Sequence, residues 1–528
     1  MRKILATMAV LIVFASVSGA TTYYVSQSGG VFSGGSACNG QTTQVPSWLS
    51  GSGHYGAGDT VYLCGTITSE LRVGNSGTSS SRINIVFDTG ASITVPYCDT
   101  NYCFSFAGSN YVTLSGGSQP CGWNTQTNAS EGACNGFIQA TANGSSKANR
   151  VGGGGVACSG TGDEVKNLGI YDIYDYVVNS GVYPSGNASW IDTTTTAGCS
   201  IHDNQMHDAG WGIEWIIGSS ASGPWNVYNN EIYNMSHGPT LPYSAPGGTV
   251  SGVNIYGNYI HDYTWSGSGC GYHNDGIHLY GQATGASATT VSANIYNNIF
   301  GGVAGSCLTA HIFMESTTQP GPGGVNIYNN LAFFTDNPAG GTGIFGLGPT
   351  QNSNSVNLYN NTLVCSSAGG GPTGVLLNVA NFNFKNNLLK NCSPLPWWEG
   401  GIVTGDHNAY DTSTCTSGGN SCFKYTNGDD YASLSSWQSA SGQDANSQGG
   451  ATKLSAYIPQ SGSSAIGAGA NLSSLSISGL NVDLAGVPRA ATGTCTPGVA
   501  GCWDAGAYQN SAASTPPQPP TALTAQVE

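Results

Sequence analysis

The stretch "NIYNNIFGG", from Asn294 to Gly302, has close copies on both sides of it in the chain. They read "NVYNNEIYN" from Asn226, "NIYGNYIHD" from Asn254, "NIYNNLAFF" from Asn326 and "NLYNNTLVC" from Asn357, with more divergent copies from Ser200 and Asn383. The last Asn of each "NN" pair, or its equivalent, falls at Asn204, Asn230, Asn258, Asn298, Asn330, Asn361 and Asn387. These positions are 26 to 40 residues apart, and a repeat of that length indicates a solenoid, a propeller or an array.

The composition of each copy selects among these architectures. Apolar and polar residues alternate within the copies, which is the period of a β-strand, while Gly, Ser, Asn and Pro fill the connections. A propeller blade would need about four strands joined by hairpins in each repeat, and hairpin signals do not occur. An Asn at one fixed position per coil can donate to and accept from the coils above and below it. The repeat therefore predicts a parallel β-helix with asparagine ladders in its turns.

"NIYNN" units at this spacing resemble the right-handed parallel β-helix superfamily of pectate-lyase-like secreted proteins. The resemblance covers roughly residues 22–510, from the opening "TYYVSQSGG" to the closing "LNVDLAGVPRAATGTCTPGVAGCWDAGAYQ". It implies an all-β, right-handed parallel β-helix. The superfamily contains lyases, hydrolases, esterases, epimerases and adhesins, so the resemblance does not select one function.

Changes in composition divide the chain into three segments. Residues 1–20 have a basic start, an apolar centre and small residues before the end, which predicts a secretory signal peptide cleaved after Ala20. The β-helix is predicted over 21–510, with N-terminal coils at 21–160, central coils at 161–410 and a closing segment at 411–510. The Pro-rich stretch 511–528 is typical of a linker or tail. We expect a secreted, extracellular monomer that does not associate with a membrane after cleavage.

Cysteine content and charge agree with export. An even count of 16 cysteines predicts disulfides in a secreted chain, although the sequence does not decide their pairing. Some cysteines are close in sequence and others are about one repeat apart: Cys98/Cys103, Cys121/Cys134, Cys415/Cys422, Cys495/Cys502, Cys270/Cys307 and Cys365/Cys392. The net charge of −15 argues against nucleic acid or an anionic membrane surface as a partner.

Ionisable residues are scarce, yet they gather around "GYHNDGIHLYG", from Gly271 to Gly281. Only 7% of the residues are charged, but seven of the nine histidines lie between His202 and His311. We predict catalytic roles for Asp275, Glu214 and Glu315. We predict substrate-binding roles for His273, His278, His311, Trp211, Trp215, Trp265 and Tyr272.

Aligning the strands that follow each Asn turn predicts that Glu214, His278 and His311 share one outer face of the β-helix. Trp215 has a competing interpretation as a core residue. Competing interpretations as turn caps apply to four more residues of this region: His202, Asp203, His261 and Asp262.

The segment "HNDGIHL" also resembles the "NTDGxDI" segment of the polygalacturonase family of β-helix hydrolases. This resemblance implies that Asp275 is the counterpart of a catalytic aspartate. The other motifs of that family have no counterpart in this chain, so polygalacturonase activity is not predicted.

The positions of Lys and Arg in the sequence limit which reactions and substrates the site could support. No Lys or Arg occurs between Lys166 and Lys385, so a uronate carboxylate would meet no fixed cation there. Hydrolysis of a neutral glycan needs only a carboxylic acid and a carboxylate. Glu214 and Asp275 are predicted on coils two steps apart, about 10 Å between backbones.

We therefore predict a glycoside hydrolase acting on a neutral or weakly charged polysaccharide. The sequence predicts no cofactor firmly and leaves Ca²⁺ open. One alternative is a calcium-dependent polysaccharide lyase or epimerase, with oxygen ligands drawn from Asp203, Asp262, Asp275 and Glu315. The other alternative is a non-enzymatic glycan-binding or adhesin-like surface protein.

Overall fold

The structure is a computed structural model. It describes residues 19–98, 102–141, 153–173, 188–193, 198–217, 220–244, 246–263, 273–281, 283–305, 307–336, 343–349, 354–365, 373–378, 381–415, 421–426, 429–489 and 502–510. The predicted signal peptide and the predicted Pro-rich tail lie almost entirely outside these residues, and so do Trp265 and Tyr272.

One long sheet, sheet A, contains 13 strands that pair in parallel in the order of the chain. Its strands are Thr22–Ser26, Thr60–Cys64, Ile83–Phe87, Val112–Ser115, Asp163–Lys166, Cys199–His202, Ala221–Tyr228, Thr249–Tyr256, Thr289–Tyr296, Thr318–Tyr328, Ser355–Tyr359, Asn381–Lys385 and Ile402–Asp406. Side chains alternate along them between the interior and the outside, as in Thr289–Tyr296, where every second residue is buried. This alternation is the period of two that the repeats predict.

The rest of each coil contributes two further strands, which form ladders B1 and B2. Ladder B1 contains Thr66–Ile67, Ser92–Val95, Gly136–Ala140, Leu168–Ile173, the start of Gln205–Ile217, Glu231–His237, Tyr259–His261, Ile299–Gly301, Leu331–Phe333, Thr362–Val364, Leu388–Lys390, Ala409–Asp411 and Gln448–Gly450. Ladder B2 contains Leu71–Arg72, Phe104–Ser105, Gly153–Cys158, Ala188–Thr193, the end of Gln205–Ile217, Thr240–Ser244, Asn274–Leu279, Leu308–Met314, Gly343–Leu347, Thr373–Leu377, Pro396–Trp398, Phe423–Lys424 and the antiparallel Asp430–Tyr431. Three parallel faces wound in chain order confirm the predicted β-helix.

Short elements lie outside the coils. Three antiparallel pairs join Gly30–Val31 to Thr42–Thr43, Trp123–Asn124 to Ala129–Ser130, and Leu454–Ser455 to Ile458–Pro459. The helical segments of the described residues are the α-helix Leu434–Ser441 and the 3-10 turns Pro46–Ser50, Gly285–Ser287 and Ser473–Leu475. None of these helices is long and apolar enough to cross a membrane.

The predicted asparagine ladder runs through the turns between sheet A and ladder B1. Each ladder Asn is completely buried, and its side-chain amide donates to Oδ1 of the Asn in the next coil, as from Asn258 to Asn298 at 2.9 Å. The same amide donates to a carbonyl of the preceding coil, which is Val227 for Asn258. The residue before each ladder Asn has a positive φ, as at Asn297 and Gly257, a conformation that Asn and Gly adopt most readily. The "NN" pair is thus a turn residue followed by a ladder residue.

Six disulfides lie within the described residues, and four of them are cysteine pairs that lie close, or one repeat apart, in the sequence: Cys98–Cys103, Cys121–Cys134, Cys365–Cys392 and Cys415–Cys422. The six join Cys38–Cys64, Cys98–Cys103, Cys121–Cys134, Cys158–Cys199, Cys365–Cys392 and Cys415–Cys422. Cys270 and Cys495 fall outside the described residues, and Cys502 forms no disulfide within them. Disulfides of this number are typical of an oxidising, extracellular environment.

Candidate functional site

A column of three side chains crosses adjacent coils at the corner between the two ladders. Trp211 is the register partner of His237, and His237 is the register partner of Asp275. A glycine follows each of the three, and a Cβ on any of these glycines would collide with a carbonyl oxygen of the next coil. The glycines are Gly212, Gly238 and Gly276. They let the coils approach closely, so the column can stack.

Four ionisable side chains converge at the end of this column. Oδ2 of Asp275 lies 2.8 Å from Nδ1 of His273, 3.3 Å from Nε2 of His237 and 3.5 Å from Nδ1 of His278. His273 directly precedes the strand Asn274–Leu279, which carries Asp275 and His278, and His237 ends the neighbouring strand. A register shift at Asn274/Asp275 interrupts the regular alternation of this strand.

The outer ring nitrogens of two of these histidines have their own partners. Nδ1 of His237 lies 2.9 Å from Oγ of Ser236. Nε2 of His278 lies 3.1 Å from Oε1 of Glu315. The His278 ring therefore stands between the two predicted catalytic carboxylates, Asp275 and Glu315.

The electrostatics keep both carboxylates charged. Burial alone would raise the pKa of the Asp275 carboxyl, but contacts with His237 and His273 and the charges of the surrounding histidines hold this pKa below its usual range. The hydrogen bond from His278 likewise lowers the pKa of Glu315. Burial lowers the pKa of His237 to about 4. For His273, burial acts to lower the pKa, but the contact with Asp275 and the charge of Glu315 raise it.

Solvent reaches only part of this cluster. The side chains of His273 and Glu315 are 39% and 29% exposed, whereas those of Asp275 and His237 are buried. Three partly exposed aromatic rings contact the histidines of the cluster. The Trp211 ring stacks on His237, the Tyr280 ring lies 4.7 Å from that of His278, and the Phe313 ring lies 5.4 Å from that of His273.

The expectation that His311 lies on an outer face is wrong. The register pairs Asp275 with Ala310 and Ile277 with Ile312, which sets His311 opposite Gly276 rather than level with His278. The imidazole is fully buried, with Nδ1 2.8 Å from the Tyr263 hydroxyl and Nε2 3.1 Å from the Phe333 carbonyl oxygen. His311 is therefore a core histidine.

The outer-face expectation is also wrong for Glu214. The register does align Glu214 with Thr240 and then with His278, two coils away, but the Glu214 side chain is completely buried. Trp215 is fully buried as well and packs against Trp225 in the interior, which confirms the competing interpretation of it as core. Neither side chain reaches the outer surface of the β-helix.

The competing structural interpretation fits the histidines of "SIHDN" and "YIHDY". Nδ1 of His202 lies 2.6 Å from Oδ2 of Asp203, and Nδ1 of His261 lies 2.8 Å from Oδ2 of Asp262. Both aspartates have a positive φ at the turn. Asp203 and Asp262 each contact the histidine next to them in the sequence. Among the described residues, neither aspartate belongs to a cluster of possible metal ligands with Asp275 or Glu315, as the calcium alternative would need.

His237 was not among the predicted site residues. It belongs to "SHGP", in a coil whose prolines obscure the strand pattern. The signal that identifies it is the glycine after it, because "WG", "HG" and "DG" mark equivalent positions at Trp211, His237 and Asp275. Aligning those dipeptides, rather than the strands that follow them, places all three in one column.

Comparison with known proteins gives distant likenesses. No family model and no curated protein sequence matches the chain. The structure described as "Crystal structure of pectate lyase Pel9A" is similar at 13% identity over 94% of this chain and 97% of that one, with a TM-score of 0.38. "The complex structure of XylC with xylose" is similar at 10% identity over 74% of this chain and 84% of that one, with a TM-score of 0.34. The strand register of the chain itself establishes the fold.

This chain is a parallel β-helix protein.

Proposed function

We propose that this chain is a secreted glycoside hydrolase that cleaves a neutral or weakly charged polysaccharide at the cluster around Asp275. The observation that carries the proposal is the convergence of His237, His273 and His278 on one buried carboxylate. Burying a carboxylate costs free energy, and ionisable groups with perturbed pKa values are concentrated at functional sites.

Two side chains at this site, His273 and Glu315, can contact a substrate because both are partly exposed to solvent. The His273 imidazole is the candidate for protonating the leaving oxygen, and the Glu315 carboxylate is the candidate nucleophile at the anomeric carbon. Ligand atoms of these two side chains lie within 4.8 Å, which is near the separation of retaining enzymes, where water later hydrolyses the glycosyl-enzyme ester with the first group acting as base. The charge of Asp275, whose Oδ2 lies 2.8 Å from Nδ1 of His273, raises the pKa of that imidazole and favours its protonated form. Glu214, which is buried, has no role in this scheme.

The surroundings suit an uncharged sugar chain. Trp211, Tyr280 and Phe313 offer partly exposed rings, and sugar rings stack on aromatic faces through their C–H groups. The absence of Lys and Arg between Lys166 and Lys385 leaves no fixed cation for a uronate carboxylate. Both features favour a neutral glycan over a polyuronate.

The test is a panel of neutral and acidic polysaccharides incubated with the purified chain. New reducing ends without the ultraviolet absorbance of unsaturated uronates would support hydrolysis, whereas that absorbance would establish a lyase instead. No cleavage of any polysaccharide would favour the adhesin alternative.

Amide variants then assign the site. Asp275→Asn and Glu315→Gln should each lower kcat at least 100-fold, because one loses the charge beside His273 and the other loses the nucleophile. Glu399→Gln is the matched control, since Glu399 is an exposed carboxylate that accepts a hydrogen bond from Asn378 at another part of the β-helix. Full turnover by Asp275→Asn, with a wild-type circular dichroism spectrum, would contradict the assignment.

A further inference from the structure

The contacts around Asp275 are close without being hydrogen bonds. Oδ2 has three ring nitrogens within 3.5 Å, yet neither carboxylate oxygen accepts a hydrogen bond of acceptable geometry. Nδ1 of His273 and Nδ1 of His278 likewise have no such partner. Both carboxylate oxygens of Asp275 and one ring nitrogen each of His273 and His278 are therefore buried without a hydrogen-bond partner.

A fully buried carboxylate in this state requires an explanation. Buried polar atoms in native proteins are almost always hydrogen-bonded, and a buried charge is paired or coordinates a metal. Asp275 has no exposed surface, and its side chain lies between two histidines that are themselves buried, His237 and His278.

The distances match the edges of a coordination polyhedron. Zinc-class ions bind imidazole nitrogen at about 2.0–2.1 Å, so two ligand atoms of a tetrahedral site are about 3.4 Å apart. The distances from Oδ2 of Asp275 are 2.8 Å to Nδ1 of His273 and 3.3 Å to Nε2 of His237. One ligand atom from each of these three residues lies within 4.8 Å of the other two, whereas His278 meets that limit with His273 and Glu315 instead.

A second contact orients the ring of His237 as a metal ligand requires. A metal-bound histidine usually donates its other ring N–H to a carboxylate or another acceptor, which fixes the tautomer. When Nδ1 of His237 donates to the Ser236 hydroxyl, its Nε2 presents a lone pair towards Asp275.

We infer that His237, His273 and Asp275 form a binding site for a divalent first-row transition metal ion. Two imidazole nitrogens and one carboxylate oxygen suit zinc, iron, cobalt or nickel, whereas calcium and magnesium prefer oxygen ligands. His273 is the ligand at the solvent edge, so the fourth, open coordination position would face solvent. A bound ion would act as a Lewis acid at the glycosidic oxygen in place of the protonated His273 imidazole, a role that rests on the proposed function.

The first test measures binding alone, without activity. The full-length chain, prepared without a histidine tag, is stripped with a chelator and titrated with Zn²⁺, Co²⁺ and Ca²⁺ in separate calorimetry experiments. We expect one Zn²⁺ per chain, a Co²⁺ absorption spectrum of a nitrogen and oxygen site, and a raised unfolding temperature on Zn²⁺ addition. Absence of stoichiometric Zn²⁺ or Co²⁺ binding, or binding of Ca²⁺ only, would overturn the inference.

Variants connect the binding to the named residues. His273→Gln and Asp275→Asn should abolish the Zn²⁺ site, and Ser236→Ala, which removes the partner of Nδ1 of His237, should weaken it about 10- to 100-fold. His273 is partly exposed, so its variant tests the site even if the buried Asp275→Asn does not fold. His407→Gln is the matched control, because His407 also lies beside an aspartate, Asp406, at 3.1 Å. Unchanged Zn²⁺ affinity in folded His273→Gln would overturn the assignment.

The experiments test the metal site and the proposed hydrolase activity independently of each other. Zn²⁺ binding that depends on His273, in a chain that cleaves no glycan, would keep the site and refute the hydrolase. Glycan cleavage by a chain that binds no transition metal, at a rate that chelators do not change, would keep the hydrolase and refute the site.

Discussion

The indole of Trp211 stacks on the imidazole of His237, with ring centroids 4.2 Å apart and planes 9° from parallel. The two residues are register partners on adjacent coils, so the stack follows from the strand pairing of ladder B1. Trp211 is partly exposed while His237 is buried. The indole therefore covers the buried imidazole and offers its outer surface to a ligand.

Removing this aromatic surface should weaken glycan binding. Trp211→Ala should raise KM about fivefold, since an aromatic stacking contact is worth roughly 1 kcal/mol beyond its buried area. The measurement is steady-state kinetics on the polysaccharide that the panel identifies. Trp397→Ala is the control, because Trp397 is also partly exposed but packs under Lys424 at a distance of 4.0 Å. An unchanged KM in Trp211→Ala would show that Trp211 does not contact the substrate.

The buried imidazole of His311 should make the fold sensitive to acid. Burial lowers the pKa of His311 to about 3, although its hydrogen bond to the Phe333 carbonyl opposes this shift. In the unfolded chain this imidazole takes up a proton near pH 6.5, whereas in the folded chain it stays neutral until about pH 3. The free energy of unfolding therefore falls as the pH drops from about 6.5 towards 3. At pH 5 the loss from this residue is about 2 kcal/mol.

Urea unfolding of the wild type and of His311→Gln between pH 4 and pH 8 measures this effect. We expect the variant to be less stable than the wild type at pH 8, because the hydroxyl of Tyr263 loses its ring partner, but to lose less stability on acidification. His407→Gln should retain the wild-type slope. An equal acid slope in His311→Gln and wild type would show that another group takes up the proton.

The asparagine ladder should tolerate no substitution at its buried positions. Asn298→Ala removes the acceptor of both the backbone N–H and the side-chain amide of Asn258, and it removes the donor to the Ile255 carbonyl oxygen. The side-chain amide of Asn258 keeps its bond to the Val227 carbonyl oxygen, whereas its buried backbone N–H loses its acceptor. The expected loss is about 2–5 kcal/mol in the free energy of unfolding. Asn294→Ala is the control, because Asn294 is only partly buried and water can replace its bond to Asn254. Equal losses in the two variants would contradict the ladder as the source of stability.

The sequence predicts the ladder well because the same "NN" pair performs the same local task in every coil. Asn329 takes the positive φ of the turn and Asn330 takes the buried ladder position, and neither depends on the length of the loops between coils. The fold class and the ladder register are therefore readable from the repeat alone.

The site was predicted less well because its geometry depends on what lies between the repeats. The register shift beside Asp275 moves His311 out of line with His278, and a single sequence contains no mark of such a shift. The burial of Glu214 depends on neighbouring coils rather than on its own strand pattern. Asp275 and His278 were found because they lie close together in sequence, whereas His237 joins them only through pairing of strands that an irregular coil separates.

The final prediction concerns Arg489, which attaches the last part of the closing segment, residues 454–510, to the coils. Its guanidinium is buried and donates to the carbonyl oxygens of Gly506 at 2.9 Å and Asp504 at 3.2 Å, and to Oδ1 of Asn329 at 3.2 Å. The acceptors belong to both the closing segment and a turn of the ladder. Burial lowers the pKa of Arg489 to about 10, which still leaves the group charged at neutral pH.

Arg489→Lys should therefore loosen the closing segment, because one ammonium group cannot reach acceptors spread around a planar guanidinium. We expect a loss of about 2–4 kcal/mol in the free energy of unfolding and faster proteolytic cleavage between residues 454 and 510. Arg72→Lys, at an exposed arginine, should change neither quantity. If Arg489→Lys were cleaved at the wild-type rate, the segment would be held by its apolar contacts, such as Trp503 and Leu480 against Tyr328, rather than by the guanidinium.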